Sequence, residues 1–136
     1  MSELAPSILS ADFMHLGEQL HTLEKSDIKV LHIDVMDGAF VPSISFGMPV
    51  IHSIRRNCGM FFDVHLMIQE PARYIKEFVE AGADSITVHV EACSDIQKTI
   101  DVMEQYPIKK ALSINPATGV DVVLPYLDRV DMVLVM

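Results

Sequence analysis

The chain has 136 residues, half of them apolar, and a formal charge of −9 from 10 basic and 19 acidic side chains. That length holds one domain with a real core, and no apolar run reaches the roughly 18 residues of a membrane span. Basic residues are scattered, with only Arg55-Arg56 and Lys109-Lys110 adjacent, which argues against a nucleic-acid surface and leaves an anionic ligand to backbone amides or a metal.

Taken in order, the chain alternates short β-branched runs with amphipathic stretches. Leu4–Leu9 reads as a first strand, and Phe13, Leu16, Leu20 and Leu23 share one helix face. Val30–Met36 is the second strand, followed by a turn at Asp37-Gly38. Phe61–Ile68 is the third. Pro71 then suits a first helical turn, Ile75, Phe78 and Val79 follow on one face, and Gly82 closes that helix. Ser85–Val90 is the fourth strand; Ser94 or Asp95 caps a helix whose apolar side is Ile96, Ile100 and Met103. Lys110–Ile114 is the fifth strand. Thr118 with Asp121 has the spacing of a capping box before Val122, Val123 and Tyr126, and Met132–Met136 is the sixth strand. His15, His21 and His52 fall on helices and are expected in solvent.

This alternation predicts an α/β fold with a parallel, right-handed sheet. An open doubly wound sheet often has a Gly-rich turn after its first strand, whereas this chain has "SILSAD" there. Polar residues gather at the ends of several strands: Ser7, His32 and Asp34, His65, His89 and Glu91, Asn115. Sites assembled from many strand ends are the habit of the (β/α)8 TIM barrel. Six strands fall short of eight, so residues 1–136 are expected to form a single, incomplete TIM-barrel domain carrying strands 1 to 6.

Side chains alternate along a strand, which puts His32, Asp34 and Met36 on one face of "HIDVM" and Asp63, His65 and Met67 on one face of "DVHLM". Neighbouring strands then let His32, Asp34 and His65 meet. Two imidazoles and a carboxylate suit Zn²⁺, Fe²⁺, Mn²⁺ or Co²⁺, and a cation explains why a charged group sits in an apolar strand. An inward histidine by itself is more often a hydrogen-bonded structural residue, and Met36, Met67 and Met136 read equally as core or as the floor under a small ligand. His89 and Glu91 are expected to be structural or to support the ligands.

The segments "LAPSILSADF", "HIDVMDGAFVPSISFG", "DVHLMI", "AGADSITVHVEA" and "INPAT" together resemble the ribulose-phosphate 3-epimerase family, from Leu4 to Met136. The resemblance implies an isomerase that interconverts D-ribulose 5-phosphate and D-xylulose 5-phosphate in the pentose phosphate pathway through a metal-stabilised enediolate. It implies one divalent metal ion on His32, Asp34 and His65, with Asp34 also one of two acid/base carboxylates. Ser7, His65, Met36, Met67 and Met136 are implied to contact the substrate. The family's second acid/base and fourth ligand, an aspartate on a seventh strand, has no counterpart in this sequence, nor do the phosphate-binding loops after strands six and eight.

The expected partner is therefore a small phosphorylated ketose, with no nucleic acid and no membrane, and a homo-oligomer for the complete protein. An epimerase for another ketose phosphate, such as allulose 6-phosphate, would use the same visible motifs; a non-catalytic truncated chain is the third reading. The N-terminal "MSELAPSILSAD" has no basic segment leading into an apolar one, so no signal peptide is expected. With Cys58 and Cys93 read as free thiols, the expected location is the cytoplasm. The 136-residue chain alone is expected to be inactive.

Overall fold

A computed structural model of the chain describes residues 3–136. Five strands form one sheet: β1 (Val30–Met36), β2 (Phe61–Met67), β3 (Ser85–His89), β4 (Lys109–Ile114) and β5 (Met132–Val135). All pair in parallel, each with the strand before it, in the order β1-β2-β3-β4-β5. Four helices of seven residues or more accompany them: α1 (Leu16–Lys25), α2 (Met48–Arg55), α3 (Ile75–Ala81) and α4 (Ile96–Met103). No described helix is long and apolar enough to cross a membrane.

Strand alternation divides β1 cleanly. Leu31, Ile33 and Val35 are buried in the main apolar core, while His32, Asp34 and Met36 on the opposite face are half-buried. Phe62, Val64 and Leu66 of β2 and Ile86 and Val88 of β3 extend the same apolar layer, against Ile51, Ile75, Phe78 and Ile100 of the helices. Each such side chain contributes about 1.5–3 kcal/mol by leaving water, so this layer fixes the strand register. The register in turn aligns the polar face: His32 lies beside Asp63, and Asp34 beside His65.

Gly82 ends α3 as its spacing predicts, with φ +113 and its N–H donating to the Val79 carbonyl. A Cβ at this position would lie 2.4 Å from Cδ of Arg55. That arginine is pinned: its guanidinium donates to the Cys58 and Met60 carbonyls and to Asp84 Oδ2, and stacks 3.8 Å over the Phe62 ring. Asp95 caps α4 by accepting from Lys98 N–H.

Two expected elements differ. Leu4–Leu9 is not a strand. It makes a single parallel bridge, Ser7 to His32, with His32 N–H donating to the Pro6 carbonyl. Pro6 has no N–H to give, and the Ser7 hydroxyl accepts from Leu9 N–H, which turns the chain into a short 3₁₀ segment at Ile8–Ser10. The expected capping box at Thr118 and Asp121 does not form either. Residues there make two 3₁₀ turns, Val120–Val122 and Leu124–Tyr126, and the Thr118 hydroxyl reaches Glu91 instead. Phe13 lies just outside α1, in a 3₁₀ turn, and is half exposed.

Candidate metal centre

The side chains expected to meet do so around one carboxylate. Asp34 Oδ1 stands 3.1 Å from His32 Nε2 and 3.0 Å from His65 Nδ1, while Asp34 Oδ2 accepts from the Ser7 hydroxyl at 2.5 Å. The three ligand-type residues each offer an atom within 4.8 Å of the others. His32 and Asp34 come from β1, His65 from β2, and Ser7 arrives by its one bridge beside β1. The Asp37-Gly38 turn that follows β1 is built as its residues predict. Asp37 Oδ1 accepts from the Ala39 and Phe40 N–H groups, Oδ2 accepts from Gln69 N–H, and Gly38 takes φ +74.

The far side of each imidazole is also held. His32 Nδ1 lies 2.8 Å from Asp63 Oδ2, so its proton goes to that carboxylate and its Nε2 is turned toward Asp34. His65, only 1% exposed, has Nε2 2.8 Å from His89 Nε2. His89 Nδ1 is 3.3 Å from Glu91 Oε2, and Glu91 Oε1 accepts from Asn115 N–H and the Thr118 hydroxyl. The Phe40 ring packs 5.0 Å from that of His89. From the sequence His89 and Glu91 read as structural or supporting residues, and Asp63 only as sharing a face with His65 and Met67. The H-x-E of "VHVEA" repeats the H-x-D of β1 at the end of β3, two strands further on, and that echo is the available signal.

The electrostatics favour a positive charge at the centre. Burial works against the His32 cation, but hydrogen bonds to Asp34 and Asp63, with their charges, outweigh it and raise the group to about 9. Burial likewise opposes the Asp34 carboxylate, yet the close contacts with the His32 and His65 ring nitrogens and the hydrogen bond from the Ser7 hydroxyl hold it well below the usual carboxylate range. His89 behaves in the opposite way: burial and the neighbouring His65 push its cation down despite Glu91. Two imidazole nitrogens and a carboxylate oxygen aimed at one another, with their outer atoms fixed by other side chains, are a donor set that fits a borderline divalent cation.

Met36 and Met67 lie side by side in the β1–β2 register, with Met67 buried. Met136 follows β5, three strands further along the sheet from β2, and is 52% exposed. His15, His21 and His52 are exposed, as expected, and both cysteines are free thiols. A concavity of about 480 Å³ lies away from the cluster, around Lys29, Asp63, Ser85, Lys109 and Asp131, toward the start of the strands. Asp63 lines it and also holds His32, which ties the floor of the sheet to the cluster.

Comparison with known proteins agrees with this architecture. The sequence profile of the ribulose-phosphate 3 epimerase family matches residues 3–136. The chain is 45% identical to ribulose-phosphate 3-epimerase of Bacillus subtilis (strain 168), covering all of this chain and 63% of that protein. It is 44% identical to the enzyme of the same name from Treponema pallidum (strain Nichols), over 98% of this chain and 61% of the relative. The chain thus spans about three-fifths of the length of the curated relatives it matches. In three dimensions it matches tryptophan synthase subunit alpha from Legionella pneumophila str. Paris, with a TM-score of 0.67 and 14% identity, over 98% of this chain and 61% of that one. The likeness supports the incomplete TIM barrel expected from the sequence, here seen as five paired strands and one bridge.

Proposed function

The chain belongs to the ribulose-phosphate 3-epimerase family, and from that premise we propose that it carries the metal centre and one proton carrier of a ketose-phosphate 3-epimerase. The substrate pair is D-ribulose 5-phosphate and D-xylulose 5-phosphate. The observation that carries the reading is the division of labour on Asp34: Oδ1 faces the two imidazoles and Oδ2 faces only the Ser7 hydroxyl.

His32 Nε2, Asp34 Oδ1 and His65 Nδ1 are the atoms that would hold a divalent cation. When bound, such a cation supplies Lewis-acid stabilisation to the negative oxygens that develop when a proton leaves the carbon beside a ketone. Asp34 Oδ2 is the atom that takes the C3 proton. It is kept ionised by its neighbours, and its one partner, the Ser7 hydroxyl, can turn to a substrate oxygen when the sugar arrives. Met36 and Met67 offer an apolar surface beside these groups that excludes water, and Met136 is proposed to join them around the substrate.

Inversion at C3 needs a second carrier on the opposite face of the sugar. Asp63 is engaged with His32, and Glu91 with His89, Asn115 and Thr118. The family resemblance assigns that role to an aspartate on a seventh strand, outside these 136 residues. The test is the full-length gene product with D-ribulose 5-phosphate, before and after a chelator. The reading expects D-xylulose 5-phosphate to form, activity to fall on chelation, and Zn²⁺, Mn²⁺, Fe²⁺ or Co²⁺ to restore it. Turnover indifferent to a metal-free treatment, or no turnover with any of the four ions, overturns it.

A further inference from the structure

Asp34, His65, His89 and Glu91 form an unbroken row of contacts: Oδ1 to Nδ1 at 3.0 Å, Nε2 to Nε2 at 2.8 Å, and Nδ1 to Oε2 at 3.3 Å. The two ends are carboxylates, which only accept, and each neutral imidazole brings one ring proton. Three contacts therefore share two protons, and one contact must join two lone pairs. Which contact that is depends on where the row is anchored. The Glu91 end is anchored firmly, because Oε1 is fixed by the Asn115 N–H and the Thr118 hydroxyl and leaves Oε2 for His89.

We propose that Glu91, acting through His89, is a positioning residue that fixes which nitrogen of His65 is free to hold a cation. Glu91 accepts the His89 Nδ1 proton. His89 Nε2 is then a lone pair and accepts the Nε2 proton of His65. His65 Nδ1 is left bare, facing Asp34. The missing proton is thereby placed at the Asp34–His65 contact, the one place where a cation can stand in for it. The row is short and dry: His65 and His89 are each 1% exposed, and Phe40 packs against the His89 ring. No proton is gained or lost along it; only the tautomers are set.

The inference rests on the proposed metal role of His65, and a single isosteric change separates the two. In Glu91→Gln, the amide oxygen must face Asn115 N–H, an obligatory donor, so the amide NH₂ faces His89 Nδ1. That reverses the row. His89 donates from Nε2, His65 accepts at Nε2 and carries its proton on Nδ1, and every contact is satisfied without a cation. In the full-length gene product, Co²⁺ titration followed by its visible absorption is expected to show about 10–100-fold weaker binding for E91Q than for the parent. Thermal unfolding of the metal-free forms is expected to place E91Q at or above the parent, which loss of a merely structural residue would not produce. Affinity within twofold of the parent, or a metal-free E91Q that unfolds below the parent or fails to fold, overturns the inference. Nitrogen-15 NMR of the Zn²⁺-loaded parent supplies a measurement that needs no variant. Nε2–H on His65 with Nδ1–H on His89 is expected, and the opposite pair of tautomers overturns it. A parent that binds no Co²⁺ counts against the proposed metal centre, and the stability comparison then still decides the role of Glu91.

Discussion

Asp34 and His65 are register partners on adjacent parallel strands, and their side chains meet at 3.0 Å on the polar face of the sheet. Neither position tolerates a shift of one residue, because a slip would carry Asp34 into the apolar layer now filled by Leu31, Ile33 and Val35. The centre is therefore held in place by the packing on the far side of the same strands.

Replacing Asp34 with Asn keeps the size and the Ser7 contact but removes the charge and the proton acceptor. In the full-length gene product kcat is expected to fall at least by the ~10²–10⁴-fold that general acid–base catalysis supplies. Steady-state kinetics with D-ribulose 5-phosphate checks this, and near-normal turnover would contradict the role given to Asp34.

The turn after β1 predicts a pH effect away from the centre. Burial opposes the Asp37 carboxylate, but the N–H groups of Gln69, Ala39 and Phe40 hold it below its usual value. A depressed folded pKa means that the stabilisation is present above the unfolded value of about 3.9 and is lost as pH falls through the folded pKa. The stability gap between the parent and Asp37→Asn should be widest near neutrality and narrow below about pH 4. Urea unfolding at several pH values measures it; a gap that stays constant rules the effect out.

Gly82→Ala combines a left-handed backbone with a Cβ driven into Arg55. The backbone alone costs about 1–2 kcal/mol. Displacing a guanidinium that serves the Gly82, Cys58 and Met60 carbonyls and Asp84 adds about 1–3 kcal/mol. A combined loss of several kcal/mol in chemical denaturation is expected, and a loss under about 1 kcal/mol would show that Arg55 moves aside freely.

The sheet edges carry a further expectation for the 136-residue polypeptide expressed by itself. Among the described residues β5 has a partner only on its β4 side, and β1 is covered on its outer side by the single Ser7 bridge. Ile44, Val135 and Met136 are exposed at 79%, 67% and 52%. Unpaired edges beside apolar side chains template association. Size-exclusion chromatography should find oligomers or aggregate and a broad unfolding transition, without epimerase activity. A monodisperse monomer with a sharp transition would refute this.

Much of the centre was legible because period-two alternation is a local rule: "HIDVM" and "DVHLM" are enough to bring His32, Asp34 and His65 together once the strands are neighbours. The core strands were legible for the same reason. What the pattern could not reveal was competition by side chains. "APSIL" looks like a strand until the Ser7 hydroxyl caps Leu9, and Thr118 has capping-box spacing until Glu91, 27 residues earlier, claims its hydroxyl. The partner of His89 was hidden likewise, since a nitrogen-to-nitrogen contact between strands leaves no spacing in the sequence.

The strand order has a kinetic meaning. Every register pair joins a strand to the one immediately before it in the chain, and none reaches across a whole unit to a distant partner. A nascent polypeptide leaving the ribosome can lay β2 on β1 as soon as α2 and the turn between them have emerged, and each later strand finds its template already made. Loop closure then comes in short steps, one strand-helix unit at a time. His32, Asp34 and His65 all lie on β1 and β2, the pair synthesised first, so they need no later strand to become neighbours, while β3 brings His89 and β4 leads into the loop that anchors Glu91.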